Sequence, residues 1–428
     1  MSVIGYSAKL YFGNTMRIIA DLHLHSRFSR SCSKDLTLPN IAKACELKGI
    51  DMVGTADALH PGWREEIGEQ LEIRDGAYYL KDGSSKTAFI LSTEVACIYK
   101  KNDKCRRLHH VLYFPDLSAV DKTIKELSDR GYNLKSDGRP ILGIDSEELL
   151  KLLLDIDERI LLVPAHAWTP WFAIFGSKSG FDSIEECFGD YAKYIYAIET
   201  GLSSDPVMNW RISALDNIFL MSNSDAHSCN NLGREANVFE MEKPSYDEFR
   251  RILVEHDLSK FTETIEFFPE EGKYHADGHA DCKFWCEPEK SKKMGGRCPQ
   301  CGKLLTIGVL SRVSDLADRE PNPAKPTSSV PFRHVVPLKE LIADAFGKRP
   351  QAKAVILEYE KMIKSASEFA ILLDLTENKL LEFASPEITS GILRMRAGNV
   401  SVRPGYDGVY GEIHVYADGD HPKQVGLF

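Results

Sequence analysis

Two histidines one residue apart, His23 and His25, close the apolar run RIIAD in the segment DLHLHS. In an extended chain, residues two apart face the same side, so both imidazoles can reach one metal ion. The arrangement recurs along the first half of the chain. IDMVGTAD ends at Asp57 with His60 just beyond, AFILSTEVA carries Glu94, and LHHVLYFPD carries His109 and His110. RILLVPAHAWTP delivers His166, YIYAIETG delivers Glu199, and NIFLMSNSDAH delivers Asp225 and His227. One such histidine would most often be a surface or core residue. Six of the 13 histidines, counting one of His109 and His110, at the ends of apolar runs and beside carboxylates are a ligand set. Imidazole mixed with carboxylate suits Zn, Fe or Mn, and so many ligands predict a cluster of two or three ions. Ions a few ångströms apart acidify water and offset charge on a leaving oxygen, so hydrolysis of a phosphate ester is the natural task. Glu94, Glu199, Asp225 and His227 are the candidate catalytic groups. The sequence has no GxxxxGK[ST] loop and no GxSxG elbow, which disfavours an ATPase or a serine hydrolase.

A second chemistry sits further along. Cys282, Cys286, Cys298 and Cys301 supply four soft ligands for a closed structural zinc site, with His279 as an alternative ligand. Residues 282–314 carry a net +5, including Lys292, Lys293 and Arg297, a local surface for phosphate in a chain whose net charge is −10. The run WTPWFAIFG offers Trp168, Trp171 and Phe172 as faces on which an exposed base could stack, with core packing as the alternative. Ser177, Lys178 and Ser179 in GSKSG, and Arg394 and Arg396 near a glycine-rich turn, are candidate phosphate contacts. The closing KQVGLF places Gln424, Leu427 and Phe428 in the order of an incomplete sliding-clamp peptide.

The elements that must position these groups are strands alternating with helices, such as the LPNIAKACELKG segment stopped by Gly49. Repeated strand ends bearing ligands suit a β/α barrel with its site on one face. A length of 428 residues allows two or three domains. The expected division is a barrel over residues 17–265, a zinc module over 266–320, and a mixed α+β domain over 321–428. The last begins in a stiff segment containing Pro321, Pro323, Pro326 and Pro331 and contains the strand-like stretch ILRMRAGNVSVRPGYDGVYGEIHV. No apolar run reaches the ~18 residues of a membrane span and no secretory leader is visible, so a cytoplasmic, nucleoid-associated protein is expected.

The segments DLHLHS, TAD, STEV, HHV, PAH and SDAH resemble the motifs of the polymerase and histidinol phosphatase (PHP) family. That resemblance implies a distorted seven-stranded β/α barrel with a trinuclear site. His23, His25, Glu94 and Asp225 would hold one ion. Glu94 would bridge to a second held by His110 and His166, and Asp57 or His60 with His227 would serve a third. The aspartate expected shortly after the HxH pair is missing, leaving either Asp35 as a displaced substitute or one metal position weaker. SRFSRSCSKDLTLPN, AHAWTPWFAIFGSKSGFDSIEECFGD, ETGLSSDP, SNSDAHSCNNLGREANVF and RPGYDGVYGEI are similar more specifically to the endonuclease Q family. This implies incision of damaged DNA 5′ to deaminated bases (uracil, hypoxanthine, xanthine) and abasic sites, leaving 3′-hydroxyl and 5′-phosphate ends. It also implies zinc in the cysteine module and in the catalytic cluster, with Mg or Mn able to support activity. A small-molecule phosphatase and a non-enzymatic DNA-binding adaptor are the competing readings.

Overall fold

The apolar runs fold as short strands, several of them wholly buried. The computed structural model describes residues 15–416. In chain order the strands of the first part are β1 (Met16–Asp21), β2 (Met52–Gly54), β3 (Leu71–Arg74), β4 (Ala77–Leu80), β5 (Ala88–Lys101), β6 (Lys104–Phe114), β7 (Ile141–Leu142) and β8 (Leu161–Pro164). They continue with β9 (Ala197–Glu199), β10 (Phe219–Met221), β11 (Ala236–Met241) and β12 (Phe261–Glu266). Helices Leu38–Lys48, Pro61–Gln70, Leu117–Asp129, Ser146–Ile156 and Tyr246–Val254 connect them. The first helix ends at Gly49 with φ +83°, a left-handed conformation that favours glycine.

β1 pairs in parallel with β2 and antiparallel with β11, β2 runs parallel to β5, and β5 is antiparallel to β6. The β5–β6 hairpin closes on Asn102 and Asp103, both at positive φ, the two-residue turn that matches strand twist. β9 and β10 form a separate parallel pair. The Ala167 N–H just past β8 donates to the Glu199 carbonyl at 2.9 Å, and a Leu24–Ala226 bridge ties the end of β1 to the segment after β10. The ends of β1, β8, β9 and β10 are therefore held side by side.

The fold is mixed α/β around a central mixed sheet, but that sheet has 11 strands where seven were expected. The additional strands include the β3–β4 hairpin and β15 (Phe332–His334), which extends the sheet by pairing in parallel with β12. Between them, β13 (Asp277–His279) and β14 (Phe284–Cys286) make the small hairpin of the cysteine segment. Arg312 bonds the Phe175 and Phe181 carbonyls and Asp182, fixing that segment to the loop after β8.

The distal part is mainly helical, with Leu338–Ala345, Lys353–Met362 and Pro386–Arg396 packed into the same core as the sheet. Beyond β15, its strands among the described residues are β16 (Ser401–Arg403) and β17 (Glu412–His414). The ILRMR run read as strand-like is helical because Ser385 caps the helix by accepting from the Ile388 N–H and Pro386 takes its first turn. No helix among the described residues is long and apolar enough to cross a membrane.

Candidate metal centre

Where β1 runs out, His23 and His25 are both buried and gather with Glu94 from the middle of β5 and Asp225 just past β10. Two ligand groups form there. His23, His25, Glu94 and Asp225 make one, and Glu94, His109 and His166 make the other, each with its donor atoms within 4.8 Å of one another. Glu94 belongs to both. Its Oε1 lies 2.7 Å from His109 Nδ1 and 3.2 Å from His166 Nε2, while Oε2 lies 3.3 Å from His25 Nε2. Asp225 Oδ1 is 3.0 Å from His25 Nε2.

Glu199 sits behind this layer. Its Oε2 accepts from His23 Nδ1 at 2.9 Å and from the His166 N–H at 3.1 Å, and its Oε1 accepts from Asn223 at 2.8 Å. Donation from Nδ1 leaves His23 Nε2 as the free acceptor, and that buried nitrogen has no hydrogen-bond partner. A carboxylate so placed would set the tautomer of His23 as a metal ligand, and this is where the structure puts Glu199. The orphaned Nε2, the shared carboxylate and the mixed N/O donors fit a pair of transition-metal ions.

The electrostatics agree. Burial opposes the charged forms of His23 and His25, but Glu199 and Glu94 at the first and Asp225 and Asp57 at the second hold both well above the usual imidazole range. Against the opposing effect of burial, His109 holds Glu94 well below the carboxylate range and His25 holds Asp225 low. A site this rich in carboxylate takes protons when no other cation is present, and metal binding displaces them. Asp57, His166 and Asp225 all have positive φ, strain of the kind that clusters at functional sites.

Several expected ligands are elsewhere. His110 faces the opposite side of β6 from His109, as adjacent strand residues must, and its Nε2 meets Ser146 Oγ at 2.8 Å. Burial pushes its imidazole down to about 3. His109 is therefore the partner of His166, where the family pattern pointed to His110. His60 caps the helix Pro61–Gln70, accepting from the Trp63 N–H, and lies outside both groups. Asp57 is the nearer of the alternatives, with Oδ1 3.5 Å from His25 Nδ1. His227 is at the rim, its ring 4.6 Å from that of His25 and its Nδ1 donating to the Asp225 carbonyl. Asp35 is exposed and does not replace the missing aspartate. Arg139, which no motif flagged, donates to Glu94 Oε2 at 3.0 Å. His109→Ala is expected to halve the metal content of this centre while His110→Ala leaves it unchanged, as read by elemental analysis of purified protein.

No family model matches the chain. The chain is 29% identical to the uncharacterized protein YqxK of Bacillus subtilis (strain 168) over 93% of its length and 99% of that protein. The lesion-specific endonuclease PfuEndoQ from Pyrococcus furiosus superposes with a TM-score of 0.83 at 33% identity, covering 94% of this chain and 96% of that one. The chain belongs to the endonuclease Q family. An endonuclease Q complexed with a 27-mer duplex bearing an abasic lesion at its active site matches as well, at TM-score 0.82 and 33% identity over 96% of this chain and all of that one.

In this endonuclease Q family member the cysteine segment is built differently from the expected four-cysteine set. His279, Cys282, Cys298 and Cys301 bring their donors together, and Cys301 Sγ is 3.9 Å from His279 Nδ1. Cys286 is excluded from that group and buried in β14, where burial and the charge of Asp277 push its thiol up. Desolvation works against the Cys298 thiolate, but the Cys301 and Gln300 backbone N–H groups and neighbouring thiols keep its pKa below the usual thiol value. His279→Ala should therefore release the module's metal at lower chelator concentration than wild type, and Cys286→Ser should not; a chromogenic zinc-release titration separates them.

The remaining candidates divide. Trp168 is buried with Nε1 donating to Asn209 at 2.8 Å, so it is core and cannot stack on a base. Trp171 is 43% exposed and walls a cavity of about 230 Å³ with Thr169, Pro170, Tyr274 and His275. Phe172 packs on His109 at 4.6 Å between ring centroids. Ser177 and Lys178 are exposed, whereas Ser179 is buried and donates to the Arg107 carbonyl. Lys293 and Arg297 are exposed, and Lys292 pairs with Asp315 at 2.8 Å. Arg394 donates to the Val415 carbonyl. Arg396 donates to the carbonyls of Ile371, Leu372 and Leu375. Gln424, Leu427 and Phe428 lie outside the described residues.

Proposed function

We propose that the chain is a metal-dependent DNA repair endonuclease that hydrolyses the phosphodiester 5′ to deaminated bases (uracil, hypoxanthine, xanthine) and abasic sites, leaving 3′-hydroxyl and 5′-phosphate ends. The observation that carries this reading is the pair of ligand groups sharing Glu94, in a chain that follows PfuEndoQ along nearly its whole length. His23, His25, Glu94 and Asp225 would hold one ion and Glu94, His109 and His166 the other. Such ions, zinc or Mn among them, supply Lewis acidity that acidifies water and offsets charge on the phosphate.

The chain's own residues do the rest. Glu199 fixes the orientation of His23. His227, at the rim beside Asp225, is placed to pass a proton to the leaving 3′ oxygen. The cavity beside Trp171 adjoins the loop that carries His166, so a nucleotide unstacked from the duplex would bring its phosphate to the ligand groups as its base enters. Lys292, Lys293 and Arg297 on the cysteine segment supply phosphate contacts along the duplex.

End-labelled duplexes carrying uracil, hypoxanthine or an abasic site, with undamaged duplex as control and Mn, Mg or Zn supplied, test the proposal. A single cut 5′ to the lesion with ligatable ends is the expected result. Turnover of a free phosphomonoester with every duplex left intact would instead identify a small-molecule phosphatase.

A further inference from the structure

The motif RPGYDGVYGEI near the distal end contributes no metal ligand, yet the fold carries it back to the cavity beside Trp171. The cavity is walled on one side by the segment Gly272–His275. The turn between β16 and β17 is bonded along that segment. Gly405 and Gly411 donate to the Glu270 and Glu271 carbonyls at 2.7 and 3.1 Å, Gly408 donates to the Lys273 carbonyl at 3.0 Å, and the Ala276 N–H donates to the Gly405 carbonyl at 3.0 Å. Asp407 and Gly408, at φ +46° and +86°, close a two-residue turn between the paired Tyr406 and Val409.

Two side chains of this turn anchor it to the cysteine segment. Tyr406 is buried against Gly278, so closely that a Cβ there would overlap its ring. Asp407 accepts from the Ala280 N–H at 2.6 Å and from the Thr306 hydroxyl. Tyr410 is left outside this packing. Its side chain is 67% exposed, the most of any Phe, Tyr or Trp among the described residues. Lys273 Nζ stands 4.5 Å from the centre of its ring, and Lys273 also lines the cavity. From the same lining Tyr274 meets the exposed Trp171 edge-on, with 6.0 Å between ring centres. An aromatic ring held on a turn fixed in this way has little freedom to lose when a ligand covers it.

We propose that Tyr410 is a wedge: its ring enters the DNA duplex at the step from which the damaged nucleotide is withdrawn, with the Lys273 ammonium beside it on a backbone phosphate. Withdrawal of a nucleotide leaves its neighbours without a stacking partner, and a ring in the gap supplies one whatever the sequence. Side chains inserted between base steps hold a duplex open in this way. The inference rests on the endonuclease reading and gives the wedge a position next to the cavity that would take the base.

The test uses the full chain. 5-Iododeoxyuridine beside an abasic site in a paired duplex crosslinks under ultraviolet light to an aromatic ring stacked on it. With metal-loaded protein bound on ice, mass spectrometry of the crosslinked peptide should identify Tyr410, and Tyr410→Phe should keep the crosslink. Tyr410→Ala should lose it and slow single-turnover incision of a fully paired uracil duplex about 5–150-fold, the loss expected for one base–aromatic stack. The slowing should be smaller where the uracil lies in a mismatched stretch that is already unstacked, and Tyr410→Phe should restore the rate. Crosslinking that maps elsewhere, in wild type and Tyr410→Ala alike, would overturn the proposal. Equal slowing on the paired and mismatched duplexes would also overturn it, by making Tyr410 a support for its turn. If wild type cuts neither duplex, the endonuclease reading fails, and the crosslink still decides whether Tyr410 stands inside damaged DNA.

Discussion

Glu94→Gln is expected to reduce lesion-directed incision by about a thousandfold or more, the largest effect of any single substitution at this site. The amide keeps the shape of the side chain but removes the one carboxylate common to both ligand groups. Lewis-acid stabilisation is worth several kcal/mol, and about 1.4 kcal/mol is a tenfold change in rate, so losing even part of it from both positions yields this magnitude. The substitution would also leave His109, His166 and Arg139 without the charged acceptor they face at 2.7, 3.2 and 3.0 Å. Removing one partner from such a buried set is strongly destabilising locally. Asp225→Asn touches only the His23–His25 group and should lower metal content by one ion where Glu94→Gln lowers it by two. Single-turnover incision, elemental analysis and circular dichroism together separate loss of ions from loss of fold. A Glu94→Gln enzyme that cuts at the wild-type rate would place the chemistry elsewhere.

The part of this site legible from the sequence is the part that follows or closes an apolar run. His23, His25, Glu94, His166 and Asp225 each follow or close an apolar run, and the strands deliver them to one place. What escaped depends on which way a side chain points. His109 and His110 sit in the run LHHVLYF, which is buried on both faces of β6, so no polar alternation in the sequence distinguishes the inner histidine from the outer. His60 carried a usable signal, since Pro61 directly after it marks a helix start and makes His60 the cap. Spacing alone favoured Cys286 over His279, yet the β13–β14 register pairs His279 with Phe284 and leaves Cys286 opposite Asp277, outside the tight donor group. Trp168 and Arg396 needed knowledge of their distant partners, Asn209 and the carbonyls of residues 371–375. The strand count differed for the same reason: the β12–β15 pairing joins segments separated by the whole cysteine module, and no local pattern announces it.

That pairing has a measurable consequence, because it lines up buried acids outside the metal centre. The register Ala236↔Ile265 places Glu235 opposite Glu266, and Glu266 in turn lies opposite His334 on β15. Both carboxyls are fully buried. Neither oxygen of Glu235 has a hydrogen-bond partner, while Glu266 has Thr200 Oγ1 on one oxygen at 2.9 Å. Burial first, and then the charge of Glu266, pushes Glu235 well above the carboxylate range; burial likewise pushes Glu266 up to about 7. An acid whose pKa rises on folding binds its proton more tightly in the native state. Its contribution is therefore fully present below the unfolded value near 4.5 and is lost as pH climbs to about 7. For Glu266 alone the loss is about 3 kcal/mol over that window. Glu235→Gln removes one charge of the pair, so the variant should melt several degrees above wild type at pH 8, converge with it near pH 5, and show a flatter dependence between. Metal-loaded protein is the right sample, since bound ions keep His23 and His25 from adding their own titration to the slope. Calorimetric melting of both proteins at pH 5, 6, 7 and 8 reads the difference directly. A variant that melts below wild type at pH 8 would mean that Glu235 is held as an anion by a partner, and that the row of acids is an ion-paired support for the β11–β12–β15 edge instead of a store of protons.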